Sequence, residues 1–99
     1  KIKGEDRVTV IYFGDGCFEE GVIHECMNFA ALHKLPIIFV CENNNYSVYT
    51  QLKDRQPDRK IINIAKAHGL KTHIANGNDV LEVSSIAYNA VSNVKLGDG

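Results

Sequence analysis

Val8-Thr9-Val10-Ile11-Tyr12-Phe13, followed at once by Gly14-Asp15-Gly16, sets the topology of this 99-residue chain. The first six residues are apolar, β-branched or aromatic, a run of the length and kind that forms a buried strand. It stops where glycines permit a tight turn and a close approach of backbone to a ligand. Residues 19–33 then read as a helix. Val22, Ile23, Cys26, Met27, Phe29, Ala30 and Ala31 recur at helical spacing on one broad apolar face. Glu19 and Glu20 in the first turn, and His33 and Lys34 at the end, suit the helix dipole. A second apolar run, Pro36-Ile37-Ile38-Phe39-Val40-Cys41, stops at Glu42-Asn43-Asn44-Asn45. Strand-helix-strand units are right-handed with parallel strands. Asp15 and Asn44 are therefore expected together beyond the carboxyl ends of the two strands, where open α/β sheets bind ligands.

Residues 43–57 show no clean period and read as a long loop, a kind of segment that is often functional. Within it Asn43 and Asn45 are expected to shape the backbone and Asn44 to bind. Tyr46 and Tyr49 are expected to wall the loop, and Lys53 and Arg55 to be solvated charges. A helix follows over 60–68, with Gly69 fitted to end it. Residues 71–75 read as a short strand, and Asp79 or Asn78 caps a last helix over 80–95. Leu96-Gly97-Asp98-Gly99 reads as a helix end and a turn toward another strand. The order β-α-β-loop-α-β-α indicates a parallel, doubly wound (Rossmann-like) α/β sheet. About three strands make a narrow sheet of that kind, which would leave apolar edges and faces for a partner or further chain to cover. Residues 1–99 are thus expected to form a single, partial domain.

Composition narrows the function classes. The apolar fraction of 44% is that of a globular chain, and a net charge of -1 argues against nucleic-acid or membrane-surface partners. No apolar run approaches the roughly 20 residues that span a bilayer, and no signal or transit segment is visible. Cys17, Cys26 and Cys41 are odd in number without Cys-x-x-Cys spacing, which points to reduced, structural thiols. Cys17, at a helix start, is the one placed for reactivity. His24, His33, His68 and His73 show no metal-ligand spacing.

The Asp15/Asn44 pair has a definite chemistry. Mg²⁺ takes about six oxygen ligands, commonly one or two carboxylates with phosphate and water. One carboxylate and one amide oxygen, with a backbone carbonyl after Asn44, leave room for a diphosphate and keep the cage from becoming too anionic for it. Gly16 and Cys17 offer backbone N–H groups at a helix start, where phosphate is favoured.

Gly14-Asp15-Gly16, the 26 residues from Cys17 to Glu42, then Asn43-Asn44 resembles the thiamin diphosphate motif of ThDP enzymes. Gly14-Asp15-Gly16-Cys17-Phe18-Glu19-Glu20-Gly21, His24-Glu25, Asn28-Phe29-Ala30-Ala31, Lys34-Leu35-Pro36 and Cys41-Glu42-Asn43-Asn44-Asn45-Tyr46-Ser47 are similar to the E1 α subunit of 2-oxo acid dehydrogenase complexes. That group spans the pyruvate, branched-chain 2-oxo acid and acetoin types. The dense match covers residues 8–50, and a looser one continues through Gly77-Asn78-Asp79-Val80. Phe18 is bulkier than the family pattern suggests, and Glu20-Gly21 replaces the Gln-Gly of some members.

The resemblance implies a thiamin-diphosphate-binding fold. Asp15 and Asn44 would be side-chain Mg²⁺ ligands, Tyr46 a ligand through its carbonyl, and Gly16 and Cys17 backbone contacts to the diphosphate. It implies oxidative decarboxylation of a 2-oxo acid and acyl transfer to a lipoyl group on an acyltransferase. An E1 β subunit would complete an α2β2 assembly, in bacterial cytoplasm or mitochondrial matrix. The family's catalytic groups fall outside this stretch, so no catalytic residue is assigned. Family members are several-fold longer, so the 99 residues are expected to be a fragment that is inactive alone. Two rival readings share part of the pattern. One is another ThDP enzyme, transketolase-like or a decarboxylase. The other is a non-catalytic phosphate- or metal-binding Rossmann-like module.

Overall fold

A computed structural model describes residues 4–97. Strand β1 (Thr9–Gly14) leads through a 3-10 turn (Asp15–Glu19) into helix α1 (Gly21–His33) and strand β2 (Ile37–Glu42). A small hairpin, β3 (Tyr46–Ser47) and β4 (Thr50–Gln51), runs directly into the one-turn helix α2 (Leu52–Arg55). Helices α3 (Ile61–Ala67) and α4 (Val80–Lys95) complete the order.

Strands β1 and β2 pair in parallel, with Thr9 opposite Ile37 and Gly14 opposite Glu42. Both apolar runs therefore end at the same edge, and the chain leaves that edge at Asp15 on one side and Asn43 on the other. The expected β-α-β unit is formed, and the chain is an α/β structure. The sheet is two strands wide. Residues 71–75 form no strand. An isolated parallel strand needs a neighbour for its ladder hydrogen bonds, and none lies beside that segment among the described residues. The strand expected after residue 97 concerns Asp98 and Gly99, outside the described residues.

Helix α1 begins two residues later than its periodicity suggests. Glu19 closes the 3-10 turn and Glu20 takes the extended N-cap position, its N–H donating to the Cys17 carbonyl. At the other end Lys34 adopts φ 46°. The N–H of Leu35 reaches back to the Ala30 carbonyl at 3.0 Å, a left-handed helix stop. Gly69, at φ +83°, ends α3, and Asp79 caps α4 by accepting from the N–H groups of Leu81 and Glu82. The Gly69 stop and the Asp79 cap lie where the sequence signals place them.

The core is a compact knot under the carboxyl end of the sheet. Phe18, Ile23 and Met27 are buried, with Phe13, Phe39, Cys41, Ile61, Ile64, Ala65 and Leu70 packed around them. Phe18 meets Phe13 edge-to-face at 5.5 Å between ring centroids. The bulk at position 18 thus has a structural reason, since it nails the 3-10 turn to the core. Only Ile23, Met27 and Ala30 of α1 are buried, at i, i+4 and i+7. Val22, Phe29, Val10 and Ile11 stay exposed, as does Cys26, which the sequence suggested would be buried. These are the bare apolar faces expected of a narrow parallel sheet.

Candidate functional site

Strands β1 and β2 end opposite each other at Gly14 and Glu42, so Asp15 and Asn43-Asn44-Asn45 leave the sheet from the same edge. Asp15 opens the 3-10 turn with its side chain 1% exposed. Its Oδ2 accepts a hydrogen bond from Arg55 Nη2 at 2.6 Å, while its Oδ1 is buried with no partner. Burying a carboxylate is costly unless each oxygen is engaged. The free oxygen therefore marks a place where a cation or donor belongs. Beside it Gly16 has no room for a side chain, because a Cβ there would lie 2.8 Å from Ser47 Oγ and 3.4 Å from Arg55 Nη1.

Asn43-Asn44-Asn45 turns the chain by local hydrogen bonds. Asn43 Oδ1 accepts from the Asn45 N–H at 3.1 Å, and Asn44 Oδ1 from the Tyr46 N–H at 3.0 Å. Asn45 sits at φ 65°, as an Asn readily does. Asn43 and Asn45 thus have the shaping role expected. Asn44 shares it, and its amide oxygen retains a second lone pair. Residues 43–57 are a built segment rather than an unstructured loop. Tyr46 pairs with Gln51, whose Nε2 donates to the Tyr46 hydroxyl at 2.9 Å, and Tyr49 is exposed at the hairpin tip instead of walling the segment.

Arg55 is the main correction to the sequence reading. It is not a solvated charge, since its side chain is only 10% exposed. Besides Asp15, its Nη1 pairs with Glu19 Oε1, and its Nε donates to the Thr50 carbonyl at 3.1 Å. The hydrogen bond with Asp15 holds the guanidinium pKa above its usual value. Gln56, also buried, donates to the Asp15 carbonyl at 3.1 Å and to Glu19 Oε1 at 3.0 Å. Glu19, which as an acid near a phosphate site would repel it, is thereby neutralised. Nothing in the local sequence of residues 52–56 announces these contacts, whose partners lie about forty positions upstream.

Cys17 and Cys41 flank the site, both partly exposed and reduced. Burial, then the nearby Asp15 charge, pushes the Cys41 thiol pKa up to about 11. The fold also brings together two histidines that spacing kept apart. His24 Nδ1 lies 3.2 Å from His68 Nε2, and His24 Nε2 lies 3.1 Å from the Phe18 carbonyl. A carbonyl can only accept, so the contact with Phe18 requires a proton on His24 Nε2, and in that neutral tautomer Nδ1 is the acceptor toward His68 Nε2. The pair ties α1 to the end of α3. Among the described residues no group of three or more His, Cys, Asp or Glu is arranged to hold a metal, and no helix is long and apolar enough to cross a membrane.

Beside the Cys17 and Cys41 thiols, this edge offers three oxygen donors: the free Asp15 carboxylate oxygen, the Asn44 amide oxygen and the Tyr46 carbonyl. That set fits a hard divalent cation such as Mg²⁺. The Gly16 backbone beside it is closely covered by the Ser47 hydroxyl and the Arg55 guanidinium, two hydrogen-bonding groups suited to an anion.

A family profile described as dehydrogenase E1 component matches residues 1–99. The chain is 41% identical over 93 residues to the mitochondrial 2-oxoisovalerate dehydrogenase subunit alpha of Caenorhabditis elegans, covering 94% of this chain and 21% of that protein. It is 42% identical over 94 residues to the chloroplastic pyruvate dehydrogenase E1 component subunit alpha-3 of Arabidopsis thaliana, covering 95% and 22%. Against the 2-oxoisovalerate dehydrogenase subunit alpha of Bacillus subtilis it is 35% identical over 99 residues, covering 100% and 30%. The chain therefore spans between about a fifth and a third of the length of these relatives.

Proposed function

The chain belongs to the dehydrogenase E1 component family, and from that premise we propose that it is the Mg²⁺- and diphosphate-anchoring part of an E1 α subunit. In this reading residues 1–99 are one portion of a doubly wound, thiamin-diphosphate-binding domain. The whole protein carries out oxidative decarboxylation of a 2-oxo acid and hands the acyl group to a lipoyl-bearing acyltransferase, with an E1 β subunit completing the site. Relatives named for both pyruvate and 2-oxoisovalerate leave the particular 2-oxo acid open.

The observation that carries the reading is the unpartnered Oδ1 of buried Asp15. Asp15 directly follows Gly14, the last residue of β1, which pairs with Glu42, the last residue of β2, two positions before Asn44. Asp15 and Asn44 through their side chains, and Tyr46 through its carbonyl, would hold Mg²⁺. Gly16 and Cys17 would meet the diphosphate with backbone N–H groups. Thiamin diphosphate, when bound, supplies the electron sink for decarboxylation. The residues here fix its diphosphate end and thereby orient its reacting end. None of them is assigned a proton transfer.

Calorimetric titration of thiamin diphosphate into the full-length protein with its β-type partner, with and without Mg²⁺, tests this. Asp15→Ala and Asn44→Ala are run alongside, with ADP as a competing diphosphate. Binding should require Mg²⁺, prefer thiamin diphosphate and fail in both variants. Equal binding of ADP, or indifference to both substitutions, would leave a general phosphate-binding module instead.

A further inference from the structure

We propose that Arg55 is a built-in counter-ion that occupies the metal-binding carboxylate of Asp15 until cation and diphosphate arrive together, so that neither binds well without the other. The inference rests on the reading of Asp15 as a Mg²⁺ ligand. Three features of the Tyr46–Arg55 segment carry it. First, the guanidinium already takes one of the two Asp15 oxygens, at 2.6 Å, in a position that is 1% exposed on the carboxylate side. A divalent ion approaching Asp15 alone meets a positive charge in direct contact with its intended ligand, and like charges at such range repel strongly where water is excluded.

Second, the arginine is carried by a short, locally strained segment. It sits at the end of a one-turn helix fed by a two-residue hairpin, and its remaining bonds go to Glu19 on the 3-10 turn and to the Thr50 carbonyl within its own segment. Val48, in the hairpin turn, is a β-branched residue at φ 55°, a conformation such side chains rarely adopt. Third, the guanidinium lies against Gly16, with Nη1 3.4 Å from where a Cβ would be. A diphosphate bound on the Gly16 backbone would meet that fork. Arginine is well suited to paired hydrogen bonds with phosphate. When the cation takes Asp15, Arg55 can turn from the carboxylate to the diphosphate without leaving the site. The anion thus supplies the partner that makes release favourable, and the two ligands help each other bind.

The test uses Mn²⁺ in place of Mg²⁺ on the full-length protein with its β-type partner. Free Mn²⁺ is followed by electron paramagnetic resonance, with and without saturating thiamin diphosphate. The wild type should bind Mn²⁺ weakly alone and much more tightly with the diphosphate present. Arg55→Gln should bind Mn²⁺ alone about tenfold more tightly, as expected when a contacting counter-charge leaves a shared carboxylate. Its enhancement by thiamin diphosphate should shrink by at least the same factor. Glu19→Gln, which removes the second anion on Arg55 and leaves its guanidinium to Asp15 alone, should move Mn²⁺ binding without the diphosphate the other way, toward weaker binding. Unchanged Mn²⁺ affinity in both variants, with binding lost in Asp15→Asn, overturns the counter-ion role and leaves the metal site standing. Unchanged binding in Asp15→Asn itself overturns the metal-site reading and this inference with it.

Discussion

Gly16 and Ser47 pack so closely that a single Cβ on the glycine would lie 2.8 Å from the serine Oγ and 3.1 Å from its Cβ. This contact holds the 3-10 turn of the first strand against the hairpin that follows the second. Both ends of the candidate site are thereby fixed to each other, although the two residues are far apart in sequence.

Gly16→Ala should push the hairpin away and weaken diphosphate-dependent Mg²⁺ binding, at a stability cost of about 1–3 kcal/mol typical of overpacking. Adding Ser47→Gly removes both close contacts and should recover most of that loss. A double-mutant cycle by urea denaturation, paired with calorimetry, checks the coupling. Additive losses would mean that Gly16 matters for another reason.

Met27 lies at the centre of the core, 1% exposed between Phe18 and Ile23 on the inner stripe of α1. Met27→Ala should destabilise by about 2–5 kcal/mol through lost burial and the cavity left behind. Met27→Leu, which nearly conserves volume, should cost less than about 1.5 kcal/mol. The urea midpoint should fall with an unchanged slope. Because Phe18 rides on the same knot, the alanine variant should also loosen the turn that carries Asp15, visible as weaker metal binding.

The parts of this structure written locally were legible in the sequence. Two apolar runs ended by Gly14 and Glu42 gave β1 and β2, and their parallel pairing followed from the helix between them. Gly69 and Asp79 marked a helix end and a helix start by chemistry that acts within three residues. Arg55 was not legible, because its partners Asp15 and Glu19 lie on another element and its immediate neighbours look like a solvated turn. The same holds for His24 and His68, which meet only because α3 docks on the core. The short strand expected over residues 71–75 failed for the opposite reason. Its local pattern was adequate, but a strand exists only with a neighbour, and the two-stranded sheet offers it none among the described residues. Asp15 combined both kinds of information. Its motif pointed to a ligand, and its orphaned oxygen needed the fold to be seen.

Cys41 supplies a reporter for the charge state of the site. It lies on β2 opposite Phe13, and its thiol pKa is raised to about 11, first by burial and next by the Asp15 carboxylate. Between the unfolded thiol pKa and that value the folded chain holds a proton the unfolded chain has released. Stability is therefore fully present below about pH 8.5 and falls as pH rises toward 11, by on the order of 1 kcal/mol for a partly exposed group. Cys41→Ala should remove that part of the slope. Iodoacetamide labelling with peptide mapping should find Cys41 inert at neutral pH and reactive only as pH approaches 11. Asp15→Asn removes the second cause and leaves the first, so the profile should move to lower pH without reaching that of the unfolded chain. A divalent cation bound at Asp15 should move it the same way in the wild type. A profile insensitive to both would show that the Asp15 charge does not reach Cys41, and would break the electrostatic link between β2 and the site.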